Sequence, residues 1–411
     1  MKILFINKYD ITGGAGVAAF RLHKALAAKY STEDLFLVGI KNSDFPNVIP
    51  TRKPGFQNFT ERGLNFIFNQ FGLQYKFHPF STKTILKTAK EFSPDIISLH
   101  NAHGGYFKTS LLIELSKIAP IVWTLHDMWA FTANAAHTFG DESWKQMISG
   151  KNENKLFPQI GLNTGNWLLK EKKRIYSNSN LTIVTPSEWL CELAKQSPVF
   201  SGKKIFHIPN GIDTNIFHPR DKSEIRRELK IQADSKVLIF GAEKVTSGNY
   251  KGGSSLISIL KNLDDKLEEK IHLIIFGKSD LKSHFESKNF VVHETGYIYD
   301  EETLAKYLSA ADIFIYPTKA DNLPNALIEA SACGLPSITY DVGGCSEIIL
   351  NGKNGFLIPL FNEKLFVEKI IETLKDNSWD KLKNSCLKIA EEKFNSFSMS
   401  DSYFNLFEKL L

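Results

Sequence analysis

Two carboxylates eight residues apart, Asp321 and Glu329, bracket the start of a short helix-forming run, Asn322-Leu-Pro324-Asn-Ala-Leu-Ile-Glu329-Ala-Ser-Ala-Cys-Gly334-Leu-Pro336. Asn322 is a candidate N-cap and Pro324 suits the first helical turn, while Gly334 is a candidate C-terminal stop and Pro336 prevents continuation. Such a helix turns its unpaired N–H groups and positive dipole end toward whatever precedes Asn325, which favours an anion such as a diphosphate. Asn325, Ala326 and Leu327 belong to that candidate binding end, and Glu329, two turns at most from it, could reach neighbouring hydroxyls. The competing reading is a surface helix whose carboxylates merely favour its N-terminus.

Three further clusters carry chemistry. Asp10-Ile-Thr-Gly13-Gly14-Ala-Gly16-Val-Ala-Ala19 follows an apolar run, and glycines without a Cβ let backbone N–H groups approach a phosphate or a sugar. Six residues separate Asn7 from Gly14, too many for a nicotinamide fingerprint, so a plain tight turn is the alternative. His126-Asp127 emerges from the apolar run Ile121–Leu125, where a strand's carboxyl end faces a ligand crevice. Lys251-Gly252-Gly253 precedes a helix and forms a candidate diphosphate cradle; a solvated surface lysine is the alternative.

Short apolar runs alternate with amphipathic segments along the chain, the pattern of parallel α/β layers. Strands are predicted at Lys2–Asn7, Leu35–Ile40, Asp95–His100, Ile121–Leu125 and Leu181–Thr185, with helices at Val17–Lys29 and Leu111–Ile118. A second series, Val237–Phe240, His272–Phe276, Phe290–His293, Ile313–Tyr316 and Ser337–Tyr340, follows the Pro209-Asn-Gly211 turn. Two doubly wound units are expected, with ligands beyond the carboxyl ends of their strands.

These segments, in this order, resemble the retaining, nucleotide-sugar-dependent glycosyltransferases of family 4, and the His126-Asp127-Met-Trp129 stretch resembles a subgroup serving capsule, exopolysaccharide and lipopolysaccharide assembly. The resemblance implies a GT-B fold: α/β, two Rossmann-like domains with parallel sheets facing across a cleft. Residues 1–208 would form the acceptor-side domain, joined by a C-terminal helix at about 390–411, and residues 209–389 the nucleotide-sugar-binding domain. It further implies that Gly13 and Gly14 approach the donor diphosphate and that Lys251 binds it. Backbone near Ile298 would meet the nucleobase, Glu329 would hold the ribose, and His126 and Asp321 would face the donor sugar. His126, Asp321 and Lys251 are thus the expected catalytic set.

Departures from the family pattern are specific. Its first carboxylate is normally Glu, where this chain has Asp321. Many relatives carry Gly-Arg at a strand end, where this chain has Gly241-Ala242, leaving Lys244 as a candidate second cation. Ala133-Asn-Ala-Ala-His137 replaces the usual Gly-Gly-Cys-His-Tyr, so a cysteine-bound loop of those relatives has no counterpart. Two other readings remain open, a nucleotide-sugar 2-epimerase and a sugar-nucleotide-binding protein without catalysis.

Composition narrows the class. A net charge of +5 over 411 residues, without dense basic stripes, argues against a nucleic-acid partner. The four scattered cysteines show no metal-site pairing, and no D-x-D pair occurs, so neither a metal nor another cofactor is expected, the nucleoside diphosphate sugar being a substrate. Met1-Lys-Ile-Leu-Phe-Ile-Asn-Lys8 reads as a first strand and not a signal peptide, which places the chain in the cytoplasm. Arg52 to Lys90 holds seven basic residues and one acid, interleaved with Phe56, Phe59, Phe66, Phe68, Phe71, Phe77 and Phe80. That segment either meets an anionic inner-membrane surface and a lipid-linked glycan acceptor, or packs its aromatics inward with its lysines in water.

Overall fold

Strands buried on both faces read as apolar runs whose alternate side chains enter opposite layers. In strand β1 (Lys2–Tyr9), Ile3 and Phe5 join one apolar layer and Leu4 and Ile6 the other. The computed structural model describes residues 1–242, 252–277, 281, 284–375 and 379–411, and Lys244 and Lys251 lie outside the described residues. The chain divides into two compact units, Met1–Gly211 with Ser396–Leu411, and Ile212–Asn395.

The first unit is a seven-stranded parallel sheet in the order β3-β2-β1-β4-β5-β6-β7. Its further strands are β2 (Glu33–Ile40), β3 (Val48–Pro50), β4 (Ile96–Leu99), β5 (Ile121–Thr124), β6 (Leu181–Thr185) and β7 (Lys204–His207). The helix Gly13–Tyr30 packs beside the C-terminal helix Ser396–Glu408: Tyr30 stacks on Phe404 at 3.7 Å, and Lys29 reaches Asp401 at 2.6 Å. Tyr403 and Thr124 share a buried hydroxyl contact of 2.8 Å.

The second unit is a six-stranded parallel sheet in the order β10-β9-β8-β11-β12-β13. These strands are β8 (Val237–Ala242), β9 (Ile271–Gly277), β10 (Phe290–Gly296), β11 (Ile313–Tyr316), β12 (Ser337–Tyr340) and β13 (Gly355–Ile358). Val237 and Ile239 face one apolar layer and Leu238 and Phe240 the other. Asp312 is structural: both its oxygens accept from the buried Arg226 guanidinium at 3.0 Å, and one also accepts from the Val237 N–H.

In each sheet the strand order reverses once, between β1 and β4 and between β8 and β11. A crevice opens beyond the carboxyl ends of such a pair, because the two connections leave for opposite faces. The glycine loop follows β1 and the His100 loop follows β4, while the Gly252 and Asp321 segments follow β8 and β11. Gly13, Gly14, Gly252 and Asp321 therefore gather at the two switch points, whereas His126 follows β5 and Ile298 follows β10.

Candidate functional site

The first unit brings together more histidines than the sequence reading named. His100 Nδ1 lies 3.1 Å from His126 Nε2, and the other nitrogen of His100 lies 3.2 Å from the Ser98 hydroxyl. His103 Nε2 meets Asp127 Oδ2 at 2.6 Å, and Asp127 Oδ1 accepts the Trp129 N–H at 2.9 Å. His100, His103, His126, Asp127 and Trp129 line one small void of about 10 Å³, close to the least that holds a water molecule. Burial pushes the His126 imidazole down to about 4, against the pull of Asp127, and His100 is pushed well below the ordinary histidine range by burial and by His126. At neutral pH the two rings are uncharged, and a single proton serves the hydrogen bond between them. Burial alone would raise the Asp127 carboxyl, but His103, the Trp129 amide and His126 together hold it below the usual value.

A base whose pKa is depressed on folding favours the native state above its unfolded pKa, and that contribution is lost as pH falls through the folded value. Stability should therefore fall between about pH 6.5 and 4, His126 alone contributing up to roughly 3 kcal/mol to the change. Urea midpoints at neutral pH and near pH 4.5 check this; equal midpoints would contradict the neutral buried pair.

The glycine loop is braced from below. Asn7, fully buried at the end of β1, donates to Ala15 O at 3.2 Å and accepts from the Asn101 N–H at 3.1 Å, tying the glycine loop to the His100 loop. Asp10 is buried and accepts the N–H groups of Asn42 and Ser43. Gly13 opens the helix at φ +69°, and Gly14 is exposed with open space where a Cβ would stand. At Gly16 a Cβ would meet Tyr9 and Asp10 carbonyl oxygens at 3.4 Å, so this position packs tightly against the end of β1.

The loop after β5 is pinned by charge. Lys172 Nζ donates to the carbonyls of Trp129, Thr132 and Ala133, its ammonium sits 3.9 Å from the Trp129 ring centre, and burial brings its pKa down to about 7. From the other side Glu153 Oε1 accepts the N–H groups of Ala133 and Asn134.

In the second unit the helix spans Asn325–Ala332, and Pro324 itself is the cap residue, extended at φ −70° and ψ 112°. Asn322, expected as the cap, lies two positions before it, and its carbonyl accepts the Gly344 N–H at 2.8 Å. The far end matches expectation: Gly334 is left-handed at φ +71°, with Gly334 N–H on Ser331 O and Leu335 N–H on Ala330 O, a Schellman closure. Asp321 Oδ2 accepts from the Tyr316 hydroxyl at 2.7 Å and Oδ1 from the Asn322 N–H at 3.0 Å. Tyr316 is held well above its ordinary pKa by burial first and then by the charge and hydrogen bond of Asp321, with smaller contributions from Cys345 and Glu329. Glu329 is 8 % exposed. Ile298, after β10, packs partly buried on the core of this unit.

Gly252 caps the helix Gly253–Asp264 at φ +72°, where a Cβ would fall 1.7 Å from Pro317 O. Only glycine lets that helix start come so close to the end of β11. Lys319 reaches its first turn, donating to Ser254 Oγ at 3.0 Å. The sequence reading missed Lys319, as it missed His100, Asn101 and His103, although His100-Asn-Ala-His103 stands at a predicted strand end. A larger concavity of about 670 Å³ lies at the amino ends of β8, β11 and β12, around Arg226 and Asp312. Its central charges are already paired, and the candidate residues sit at the opposite edge of that sheet.

The chain matches a family described as Glycosyltransferase Family 4 over residues 12–216, and one described as Glycosyl transferases group 1 over residues 221–393. It is 23% identical over 368 residues, 85% of each chain, to WcaC of Escherichia coli K12, whose name assigns it to glycosyl transfer in colanic acid biosynthesis. The structure of HepE from Anabaena, solved with UDP and glucose, superposes with a TM-score of 0.69 at 17% identity over all of both chains. WaaG, a glycosyltransferase involved in lipopolysaccharide biosynthesis, gives 0.65 at 13% identity over 99% of both chains. The fold is GT-B, built from two Rossmann-like domains with parallel sheets.

Proposed function

The chain belongs to the glycosyltransferases, family 4 in its first half and group 1 in its second, and from that premise we propose that it is a retaining, metal-independent enzyme moving a hexosyl unit from a nucleoside diphosphate sugar to a surface-glycan or lipid-linked acceptor. The observation that carries the reading is the Asn325–Ala332 helix, which starts beyond the carboxyl end of β11 with Asp321 on the Tyr316 hydroxyl just before it and the Glu329 carboxylate buried within it. The positive end of that helix dipole suits a diphosphate, and the buried Glu329 carboxylate suits ribose hydroxyls. Ile298 backbone would meet the base, with Asn325, Ala326 and Leu327 on the phosphate side. Lys251 and Lys319 would neutralise the departing diphosphate, and Gly13 and Gly14 are proposed as further diphosphate-binding residues.

The chemistry then needs little from side-chain acids or bases. As the glycosidic bond to the diphosphate breaks, the acceptor oxygen attacks the same face of the sugar, and its proton passes to the departing phosphate oxygen. Asp321, held by Tyr316, and His126, held by His100, orient the sugar. The names of WcaC and WaaG support a surface glycan as acceptor, and that of HepE supports a UDP-sugar donor. Work at the cytoplasmic membrane face belongs to the same reading.

A thermal-shift screen with UDP-, GDP- and ADP-sugars tests it. One sugar nucleotide should raise the melting temperature, and Glu329→Ala should weaken that binding about tenfold to a hundredfold, the worth of one charge-assisted hydrogen bond. No stabilisation by any of them, or undiminished affinity in the variant, would count against the donor site.

A further inference from the structure

The helix Phe56–Gln70 is inside out. Glu61 is its buried residue, with 0% exposure, whereas Phe56, Phe59, Phe66 and Ile67 are 76%, 81%, 65% and 52% exposed. At one residue per 100° these four fall in an arc of about 100°, and Glu61 lies roughly 170° from its middle. Helices of water-soluble surfaces do the reverse, with the apolar stripe inward and carboxylates outward. Phe71 and Phe77 extend the same exposed character just beyond the helix.

Buried polar groups hold the inversion. Glu61 accepts from Arg52 Nη1 at 3.1 Å and from the Ser81 N–H and hydroxyl at 2.8 and 2.6 Å. Rolling the aromatics inward would carry Glu61 out and leave the Arg52 guanidinium, 7% exposed, without its carboxylate. Arg52 Nη1 also donates to Gly105 O at 2.6 Å, two residues beyond His103. One guanidinium thus braces both the outward face and the loop that carries the histidines.

Charge identifies what covers this face. Between Arg52 and Lys90 the one acid, Glu61, is buried, and the exposed charged side chains are Lys53, Arg62, Lys83, Lys87 and Lys90, of which Lys87 pairs with Glu91 at 3.7 Å and the others carry the cationic character. A second copy of the same surface would set cations against cations, whereas an anionic lipid surface complements them. We propose that this helix is a docking element for an anionic bilayer, its phenylalanines in the boundary between headgroups and acyl chains and its cations at the phosphates. The proposal rests on the reading of a lipid-linked acceptor, because it places the His126 unit where such an acceptor is presented.

Sedimentation of the full chain with vesicles tests it, using phosphatidylcholine alone and phosphatidylcholine mixed with phosphatidylglycerol. The wild type should bind the mixed vesicles and release at high salt. The double variant Phe59→Ser, Phe66→Ser should partition at least about tenfold less, having lost two membrane-seated rings. Both positions are exposed, so its urea midpoint and its affinity for the sugar nucleotide should match the wild type. Failure of the wild type to bind mixed vesicles, or equal partitioning of the variant, would overturn the proposal. So would lipid-free self-association of the wild type that the variant abolishes, since a second copy would then be the occupant. Loss of sugar-nucleotide binding with vesicle binding intact would instead count against the transferase reading alone.

Discussion

Lys172→Met should lower the unfolding free energy by roughly 1–3 kcal/mol, the usual penalty for leaving buried polar groups without their partner. Methionine keeps the apolar stem but removes the ammonium, which donates to the carbonyls of Trp129, Thr132 and Ala133. At 4% exposure no bulk water replaces it, so three carbonyls lose a donor and Glu153 loses its nearby cation. Urea unfolding of the purified variant measures the effect. The same substitution frees the loop that bears Asp127 and Trp129, so turnover should fall at temperatures where the variant is still folded. A midpoint within error of the wild type would show that the loop is held by packing alone.

His126→Ala should lower turnover by about 10²–10³, the range for deleting one hydrogen-bonding group that acts on the transition state. Substrate affinity should change far less, because the ring is proposed to orient the sugar and the diphosphate helix to hold the donor. The expected signature is therefore a fall in kcat with KM nearly constant. On the same proposal His100 would act as a positioning residue, through its contact of 3.1 Å with His126. His100→Phe should give a smaller loss of kcat and also remove one buried imidazole from the acid sensitivity described above. A kcat for His126→Ala within a factor of two or so of the wild type would remove the ring from the reaction.

How much of this was legible in the sequence depends on where each element sits. Leu181–Thr185, Ile313–Tyr316 and Ser337–Tyr340 are buried along their whole length, so their continuous apolar runs are readable and their limits agree with the expectation. The strands that escaped notice lie at sheet edges. β7, Lys204–His207, is mostly exposed and carries Lys and His, β3 is three residues ending in Pro50, and β13 opens on Gly355. Edge strands need neither a two-sided apolar pattern nor every backbone bond, so composition alone leaves them silent.

The site was legible to the degree that it is local. The spacing of Asp321 and Glu329 and the glycine stop belong to one segment and could be read there. The cap could not, because the Asn322 carbonyl is engaged by Gly344 and Pro324 takes the cap position, a choice made by tertiary contact. Gly343 shows the same influence: at φ +53° its Cβ position lies 1.8 Å from Asp321 O, so the loop after β12 abuts the Asp321 backbone. The pairing of His100 with His126 joins adjacent strand ends 26 residues apart, which no local pattern reveals. Of the two readings of Arg52 to Lys90, the one that packs the aromatics inward does not hold for Phe56, Phe59, Phe66, Phe71 and Phe77, which are exposed.

The central claim is transfer from a nucleotide sugar with retention at the anomeric carbon. The direct measurement is an NMR assignment of the anomeric configuration of product made from an α-linked nucleoside diphosphate hexose and a glycan or lipid-linked acceptor. The account predicts an α-linked product formed by the wild type and strongly reduced in Glu329→Ala. A β-linked product, a free epimerised sugar nucleotide, or tight donor binding without any turnover would contradict it.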